Sequence, residues 1–409
     1  MIIKLQQSQI NADATVEITG SKSESNRLLI LRALYPNLEV DNLSDADDTM
    51  VLESALNSGS NHIDIHHAGT SMRFLTAYLS AYSTKEVTLT GSTRMQQRPI
   101  KILVDALRQL DADIEYTNNE GFPPLQIKGK SLTKNKVTID ANISSQYISA
   151  LILIGPKLEK GLEITLKGEV TSLPYINMTL SLLKQLGVPF QFSGKTISIS
   201  AYNDVMTKRI TVESDWSAAS YYYSLIALSP IGTKISLSSF VKDSLQGDAK
   251  LAEIYSDLGV ETTFIDNKIV LKKTTSEITF SSANLIETPD LAQTLVVTCL
   301  GLGHNCKLTG LHTLKIKETD RLVALKQELE KLGATVSISK DTLELNAVTN
   351  LKSDVYIDTY NDHRMAMAFA PLALKTALHV NEAEVVTKSY PKFWDDLQSV
   401  GIKIQRENN

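Results

Sequence analysis

Cysteine is almost missing from this chain, since only Cys299 and Cys306 occur among 409 residues. One pair cannot form a disulfide framework, and its spacing matches none of the usual zinc-binding patterns. Both residues lie in or beside an apolar run, which predicts buried thiols in a protein compatible with a reducing cytoplasm. We therefore expect a cytoplasmic protein without a metal site.

An excess of positive charge is also missing, because 41 Lys and Arg face 46 Asp and Glu, for a net charge of -5. A general nucleic-acid binder should be basic, so nucleic acid is not an expected partner. This balance still permits a local cationic cleft, because a cleft focuses the field of its own charges.

Long apolar runs are absent as well, and none is long enough to span a bilayer. The first ten residues show no basic region followed by an apolar core, so we expect neither a signal peptide nor a membrane partner. HExxH, GxxxxGK[ST], GxGxxG and GxSxG patterns do not occur. This argues against the common metalloprotease, NTPase, dinucleotide and serine-hydrolase functions, and we expect no cofactor.

A helix that ends in a Leu-Gly-like pair, followed by short alternating strands, recurs along the chain. The length of the chain, 409 residues, predicts two domains. A period of roughly 70 residues is too long for a solenoid and indicates repeated α/β units. The four clear copies and the two weaker ones are Leu180–Gly187, Leu251–Gly259, Leu322–Gly333, Phe393–Gly401, Thr49–Gly59 and Ile102–Asp111.

The segment Gly20–Arg27, GSKSESNR, contains the first unusual helix start. Ser21 and Glu24 have the spacing of a capping box, which predicts a helix N-terminus here. Lys22 then opposes the helix dipole unless an anion binds beside it. Backbone N–H groups, serines and cations would together bind a phosphate or carboxylate. The alternative is a well-capped helix with two solvated cations.

Cations recur at the start of other predicted helices. Pro99 is expected as a first helical residue, which places Arg98 at the helix entrance. Each cation could belong to an ordinary helix start, but together they indicate helix N-termini that converge on a polyanionic ligand. The cations are Lys22, Arg73, Arg98, Lys317, Arg321 and Arg364.

Turnover also needs groups that move protons. Asp290 opens an apolar run, and its alternative role is that of an N-cap. Glu318 is flanked by cations, and its alternative role is that of an ion-pair partner. The remaining candidates in these motifs are Lys22, Asp320, Asp362 and His363.

Eight motifs, in order and over essentially the whole chain, resemble the 5-enolpyruvylshikimate-3-phosphate synthase family. They are GSKSESNR, AGTSMRF, RMQQRPI, ISSQYISAL, PYINMTL, KETDRL, YNDHRMAM and TKSYP. The resemblance implies an α/β fold: a two-domain inside-out α/β barrel. Each domain would have three βαβαββ-like repeats with pseudo-threefold symmetry, and a cleft would separate the domains. The implied domains are residues 21–212, on the shikimate 3-phosphate side, and residues 1–20 plus 213–409.

The resemblance also implies the reaction, in which shikimate 3-phosphate and phosphoenolpyruvate give an enolpyruvyl ether and phosphate. Shikimate 3-phosphate would bind Lys22, Ser23, Arg27, Ser144, Ser145, Gln146, Ser172, Asp290, Thr313 and Lys317. Phosphoenolpyruvate would bind Lys22, Gly69, Arg98, Gln146, Arg321, Arg364 and Lys388. The implied partners are these small molecules only, and we expect a monomer.

The expected mechanism is addition followed by elimination. Asp290 would remove the proton of the attacking hydroxyl, and Glu318 or Lys22 would protonate the methylene carbon. A side chain at Gly69 would crowd the small ligand.

Four positions depart from the family. Many members have Asn at His67 and Pro at Phe74, both beside the implied phosphoenolpyruvate site, which leaves its shape open. They often have Asn at Thr313, where a contact to shikimate 3-phosphate would weaken, and Lys at Leu173. Two other functions remain open, a UDP-N-acetylglucosamine 1-carboxyvinyltransferase and a non-catalytic phosphometabolite binder. The first usually has Lys-Asn where this chain has Lys22-Ser23, and often a reactive Cys in the loop Gly91–Arg98, which contains none.

Overall fold

A computed structural model describes residues 1–11, 13–203 and 208–407. The chain divides into two compact units, residues 1–19 with 213–409 and residues 20–212. Gly20 belongs to the second unit, one residue away from the predicted division. It packs closely there, because a Cβ on Gly20 would lie 1.8 Å from the carbonyl oxygen of Asn42.

The strands are short, and buried residues alternate with more exposed ones along many of them. In chain order they are β1 (Ile2–Leu5), β2 (Ala14–Val16), β3 (Leu38–Asp41), β4 (His62–Asp64), β5 (Glu86–Thr90), β6 (Asp113–Tyr116), β7 (Leu125–Lys128), β8 (Lys136–Asp140), β9 (Leu162–Lys167), β10 (Phe190–Ser193), β11 (Thr196–Ile199), β12 (Lys208–Thr211), β13 (Lys234–Ser238), β14 (Val260–Ile265), β15 (Lys268–Lys273), β16 (Ser282–Asn284), β17 (Cys306–Thr309), β18 (Thr335–Ile338), β19 (Leu343–Asn346), β20 (Val355–Ile357), β21 (Leu378–Val380) and β22 (Ile404–Glu407).

The α-helices alternate with these strands. They are α1 (Lys22–Leu34), α2 (Asp47–Asn57), α3 (Gly69–Tyr82), α4 (Lys101–Gln109), α5 (Ser145–Ile154), α6 (Leu173–Gln185), α7 (Trp216–Leu228), α8 (Leu251–Ser256), α9 (Ala292–Gly301), α10 (Arg321–Lys331), α11 (His363–Phe369) and α12 (Phe393–Ser399). Within the described ranges, no helix is both long enough and apolar enough to cross a bilayer.

Five of the six sheets share one four-stranded topology, which realises the predicted α/β repeat. Two strands pair in parallel and two further strands add to them in antiparallel orientation, as in β8-β9-β11-β10, where α5 connects the parallel pair. In the sheet β2-β13-β15-β14, residues 17–233 separate the parallel strands along the chain. The sheet β20-β21-β1-β22 follows the same plan but takes its third strand from the start of the chain. Ile3 of β1 lies opposite Val380 on one side and Arg406 on the other.

Among the described residues, the sixth sheet consists of β3 and β12, which run parallel with Val40 opposite Ile210. It belongs to the unit 20–212 and lacks the hairpin that completes the other repeats. The predicted copy at Thr49–Gly59 is a helix followed by a half-buried strand, as expected. The strand that follows α2 is β4, and β4 pairs with β5 as the first strand of the next sheet.

Three helices in each unit are buried almost all round: α1, α3 and α5 in one, and α7, α9 and α11 in the other. Tyr221–Tyr223 of α7 are buried, and the predicted burial of the thiols of Cys299 and Cys306 is confirmed. The interior of such a helix has little room for unpaired charge, because burying a charge requires a partner. Predicted site residues lie in the first turn of four of these helices, among them Lys22, Gly69, Ser145 and Arg364.

Candidate active site

A fully buried arginine joins three carboxylates in the unit formed by residues 1–19 and 213–409. Arg321 is the first residue of α10, and its side chain is 2% exposed. Nε donates to Asp362 Oδ2 at 2.6 Å, Nη1 donates to Asp290 Oδ1 at 2.9 Å, and Nη2 donates to Glu318 Oε2 at 2.9 Å. These carboxylates come from three separate segments, so Arg321 fixes their relative positions.

Three further cations lie on the other side of these carboxylates. Arg364 Nη2 donates to Asp290 Oδ2 at 3.0 Å, and Lys317 Nζ lies 3.6 Å from Asp290 Oδ1. Lys388 Nζ donates to Glu318 Oε1 at 2.5 Å. The cluster therefore has four cations and three carboxylates, and the surplus of positive charge favours a bound anion. These contacts bring together the predicted residues Asp290, Lys317, Glu318, Arg321, Arg364 and Lys388.

Electrostatics keep Asp290 ionised. Burial alone would raise its pKa, but Arg364, Lys317 and Arg321 hold the pKa well below its usual range. Burial also lowers the pKa of Lys317. A carboxylate in such contacts is a weak base, because protonation would cost it the attraction of three cations.

The alternative roles of the two acids have different outcomes. Asp290 lies within the 3₁₀ helix Pro289–Leu291, and the cap position of α9 is Leu291, so the N-cap alternative was wrong. Glu318 forms ion pairs with Arg321, one of the two predicted partners, and with Lys388. Asp362 does cap a helix, because its Oδ1 accepts from the backbone N–H of Arg364 at 2.9 Å.

In the unit 20–212, the segment Gly20–Arg27 starts a helix as predicted. Ser21 Oγ accepts from the backbone N–H of Glu24 at 3.4 Å, and Lys22 is the first helical residue. Lys22 Nζ lies 3.4 Å from Asp48 Oδ2 in the first turn of α2. Sequence reasoning missed Asp48, because the acidic run Asp45-Ala46-Asp47-Asp48 looks like an exposed helix start. Asp48 is in fact 3% exposed.

Arg27 is buried, and the groups that accept its hydrogen bonds are neutral, while the carboxylate of Glu24 acts on it electrostatically. Nε donates to Thr179 Oγ1 at 2.7 Å, Nη1 to the carbonyl oxygen of Ser23 at 2.7 Å, and Nη2 to Ser149 Oγ at 3.1 Å. Burial lowers the pKa of Arg27 to about 10. The guanidinium thus ties together α1, α5 and α6, and it brings Ser23 and Arg27 into contact.

Arg98 lies directly against the start of α3. A Cβ on Gly69 would lie 2.6 Å from Arg98 Nη1, so the steric conflict at Gly69 begins within the protein itself. The prediction that Pro99 starts a helix was wrong, because α4 begins at Lys101 and Arg98 follows the 3₁₀ helix Met95–Gln97. The backbone N–H of Ile100 instead bonds to the carbonyl oxygen of Gly121 at 2.9 Å.

The remaining predicted residues sit at other element ends. Ser144 caps α5 by accepting from the backbone N–H of Gln146, and Ser145 is the first residue of that helix. Gln146 Nε2 donates to Thr70 Oγ1 at 3.3 Å, next to Gly69. Ser172 precedes α6 with a φ of 53°, and Thr313 lies in the 3₁₀ helix His312–Ile316. In the part of the chain that is described, neither Ser172 nor Thr313 bonds to another predicted site residue.

Within residues 1–11, 13–203 and 208–407, no three His, Cys, Asp or Glu side chains are grouped so that they could hold a metal ion. The predicted site residues of the two units offer cations, carboxylates, hydroxyls and helix N-termini. This combination can bind phosphorylated and carboxylated ligands and exchange protons with them.

Known proteins share both the sequence and the fold. The 3-phosphoshikimate 1-carboxyvinyltransferase of Bacteroides fragilis is 49% identical over 399 residues, which covers 96% of each chain. The protein of the same name from Haemophilus influenzae is 34% identical over 430 aligned positions, covering 96% of this chain and 97% of the relative.

Two solved structures have the same fold. EPSP synthase from Acinetobacter baumannii superposes with a TM-score of 0.79 at 21% identity, over 99% of this chain and all of the other. The enolpyruvyl transferase NikO from Streptomyces tendae superposes with a TM-score of 0.74 at 14% identity, over 99% of this chain and 98% of the other. The sequence pattern of the EPSP synthase family matches residues 37–397. The chain therefore belongs to the EPSP synthase (3-phosphoshikimate 1-carboxyvinyltransferase) family.

Proposed function

We propose that this protein transfers the enolpyruvyl group of phosphoenolpyruvate to the 5-hydroxyl of shikimate 3-phosphate and releases phosphate, on the shikimate pathway to chorismate and aromatic amino acids. We further propose that it acts as a cytoplasmic monomer. The main support for this reaction is the cluster of charged side chains around Arg321. It holds two candidate proton-transfer groups, Asp290 and Glu318, among cations that suit anionic substrates.

The proposed ligands of each substrate follow the family's motifs. Together the substrates bring two phosphates and two carboxylates, which accounts for the number of cations. Shikimate 3-phosphate binds Lys22, Ser23, Arg27, Ser144, Ser145, Gln146, Ser172, Asp290, Thr313 and Lys317. Phosphoenolpyruvate binds Lys22, Gly69, Arg98, Gln146, Arg321, Arg364 and Lys388.

The proposed reaction has two steps. The 5-hydroxyl oxygen bonds to C2 of phosphoenolpyruvate while its proton moves to Asp290, and C3 gains a proton from Glu318 or Lys22. The tetrahedral adduct then loses phosphate from C2 and a proton from C3, which restores the double bond. Preorganised cations stabilise the charge on this adduct, and such electrostatic stabilisation is often the largest contribution to catalysis.

Substrate binding also increases the basicity of Asp290. The cations that lower the pKa of Asp290 are Arg364, Lys317 and Arg321, and all three are proposed ligands of the substrate anions. As those anions engage the cations, the attraction that keeps Asp290 ionised decreases and its basicity rises. Asp290 thereby becomes an effective base when both substrates are bound.

Phosphate release tests the proposed function. The protein is mixed with phosphoenolpyruvate and either shikimate 3-phosphate or UDP-N-acetylglucosamine, and inorganic phosphate is measured over time. We expect phosphate release in the reaction that contains shikimate 3-phosphate and none in the reaction that contains UDP-N-acetylglucosamine. Release with the UDP-sugar alone would show the other carboxyvinyl transfer, and no release with either acceptor would indicate a binding protein.

A further inference from the structure

The guanidinium of Arg364 also hydrogen-bonds to a side chain of α7. Its Nη2 donates to Asp290 Oδ2 at 3.0 Å and also to Ser217 Oγ at 3.3 Å. Ser217 is the second residue of α7, and its hydroxyl donates to Oδ2 of Asp248. Three side chains therefore form a hydrogen-bonded series from a buried carboxylate to the guanidinium.

The direction of these bonds follows from chemistry. Burial raises the pKa of Asp248 to about 7, so at pH 8 its carboxylate is ionised and only accepts, and Ser217 must give its single proton to it. A guanidinium only donates, so the lone pairs of Ser217 must face Arg364. The carboxylate therefore sets the hydroxyl in the one orientation that accepts from Arg364.

Asp248 is held firmly enough to play this role. It is 2% exposed and lies in the 3₁₀ helix Gly247–Lys250. The residue before this helix, Gln246, accepts from the backbone N–H of Trp216 at 2.9 Å and donates to the carbonyl oxygen of Ser214 at 2.8 Å. The segment that carries Asp248 is thus fastened to the residues immediately before Ser217.

Nη1 of Arg364 also donates to the backbone carbonyl oxygen of Asp290 at 3.3 Å, but the carboxylate of Asp290 cannot hold Nη2 throughout the reaction. That carboxylate is the proposed base, and a proton on it weakens its bond to Arg364. Ser217 takes no part in the proposed proton transfers, so its contact with Arg364 persists while Asp290 changes state.

We infer that Ser217 and Asp248 are positioning residues for phosphoenolpyruvate, because they orient the guanidinium of Arg364 independently of the Asp290 carboxylate. The inference rests on the proposed function, in which Arg364 binds phosphoenolpyruvate. Neither residue touches the substrate in this account. Both act through Arg364.

The test is steady-state kinetics at pH 8 on the full chain, with each substrate varied in turn. Ser217→Ala is expected to raise the KM for phosphoenolpyruvate about fivefold, and to leave the KM for shikimate 3-phosphate and kcat within twofold. Asp248→Ala should act similarly, whereas Asp248→Asn retains an acceptor oxygen and should stay within twofold of wild type. In the Ser217→Ala background, Asp248→Ala should add less than twofold, because both act through one contact.

Ser224→Ala is the matched control. Ser224 is a buried hydroxyl further along α7, and it accepts from Thr298 rather than from Arg364. The inference is overturned if Ser217→Ala gives the same kinetic constants as Ser224→Ala, or if it raises both KM values equally. Ser217→Ala decides the question if Asp248→Ala does not fold. A wild-type protein that releases no phosphate would instead refute the proposed function.

Discussion

Asp290→Ala tests the role of the proposed base. The substitution removes the carboxylate that contacts Arg321 at 2.9 Å, Arg364 at 3.0 Å and Lys317 at 3.6 Å. General base catalysis contributes about 10²- to 10⁴-fold to a rate, or about 3 to 5 kcal/mol of barrier. We therefore expect kcat to fall by that factor, with both KM values nearly unchanged because the three cations remain available to the substrates.

The assay is phosphate release at saturating concentrations of both substrates. Asp290→Asn is a second variant, which keeps the size of the side chain but cannot accept the proton, and it should lose activity to a similar degree. Asp341→Ala, at an exposed aspartate, is the control. The assigned role is wrong if kcat of Asp290→Ala stays within a factor of a few of wild type.

Three further substitutions test other parts of the account. Gly69→Ala places a Cβ 2.6 Å from Arg98 Nη1 and should raise the KM for phosphoenolpyruvate at least tenfold, with an unchanged KM for shikimate 3-phosphate as the control. Arg321→Met leaves the carboxylate of Asp362 buried without its guanidinium and should lower the free energy of unfolding by about 3–5 kcal/mol in urea, and a loss under 1 kcal/mol would contradict this. Burial raises the pKa of Asp248 to about 7, so the native state holds a proton that the unfolded chain releases near pH 4. Stability is therefore lost as pH rises from about 4 through 7, by about 4 kcal/mol. Asp248→Asn should not show this loss when unfolding is compared at pH 5 and pH 8, and identical pH dependence in both proteins would refute it.

The cations of the site could be predicted because each is unusual within its own local sequence. Lys22, Arg321 and Arg364 stand in the first turn of a helix, where a positive charge opposes the dipole. Such a conflict between a residue and its helix position is visible without knowing the fold. It pointed to anion binding before any contact was known.

The partners that lie far along the chain could not be predicted in the same way, unlike the pair of Glu318 with Arg321, three residues apart. Arg321 bonds to Asp362, which lies 41 positions later, and Lys22 pairs with Asp48 on another helix. The error at Pro99 has the same origin, because the backbone N–H of Ile100 bonds to Gly121 instead of starting a helix. Local propensity carries no information about contacts that the repeat topology brings together.

The missing hairpin beside β3 and β12 illustrates a further limit. The segment after α2 alternates like the first strand of a hairpin, yet β4 pairs in parallel with β5. Alternation reports that a strand is half-buried, and it does not report which strand lies next to it. The repeat could therefore be recognised, but the one incomplete copy could not.

Mass spectrometry of the acceptor after reaction in D₂O tests both the enolpyruvyl transfer and its addition–elimination mechanism. The protein is incubated with phosphoenolpyruvate and shikimate 3-phosphate, and the acceptor and its product are resolved by mass. We expect shikimate 3-phosphate to gain an enolpyruvyl group. The methylene of that group should contain deuterium, because C3 is protonated by solvent-exchanged groups before phosphate leaves. An acceptor recovered without an enolpyruvyl group would contradict the function, and a product free of deuterium would contradict the addition–elimination mechanism.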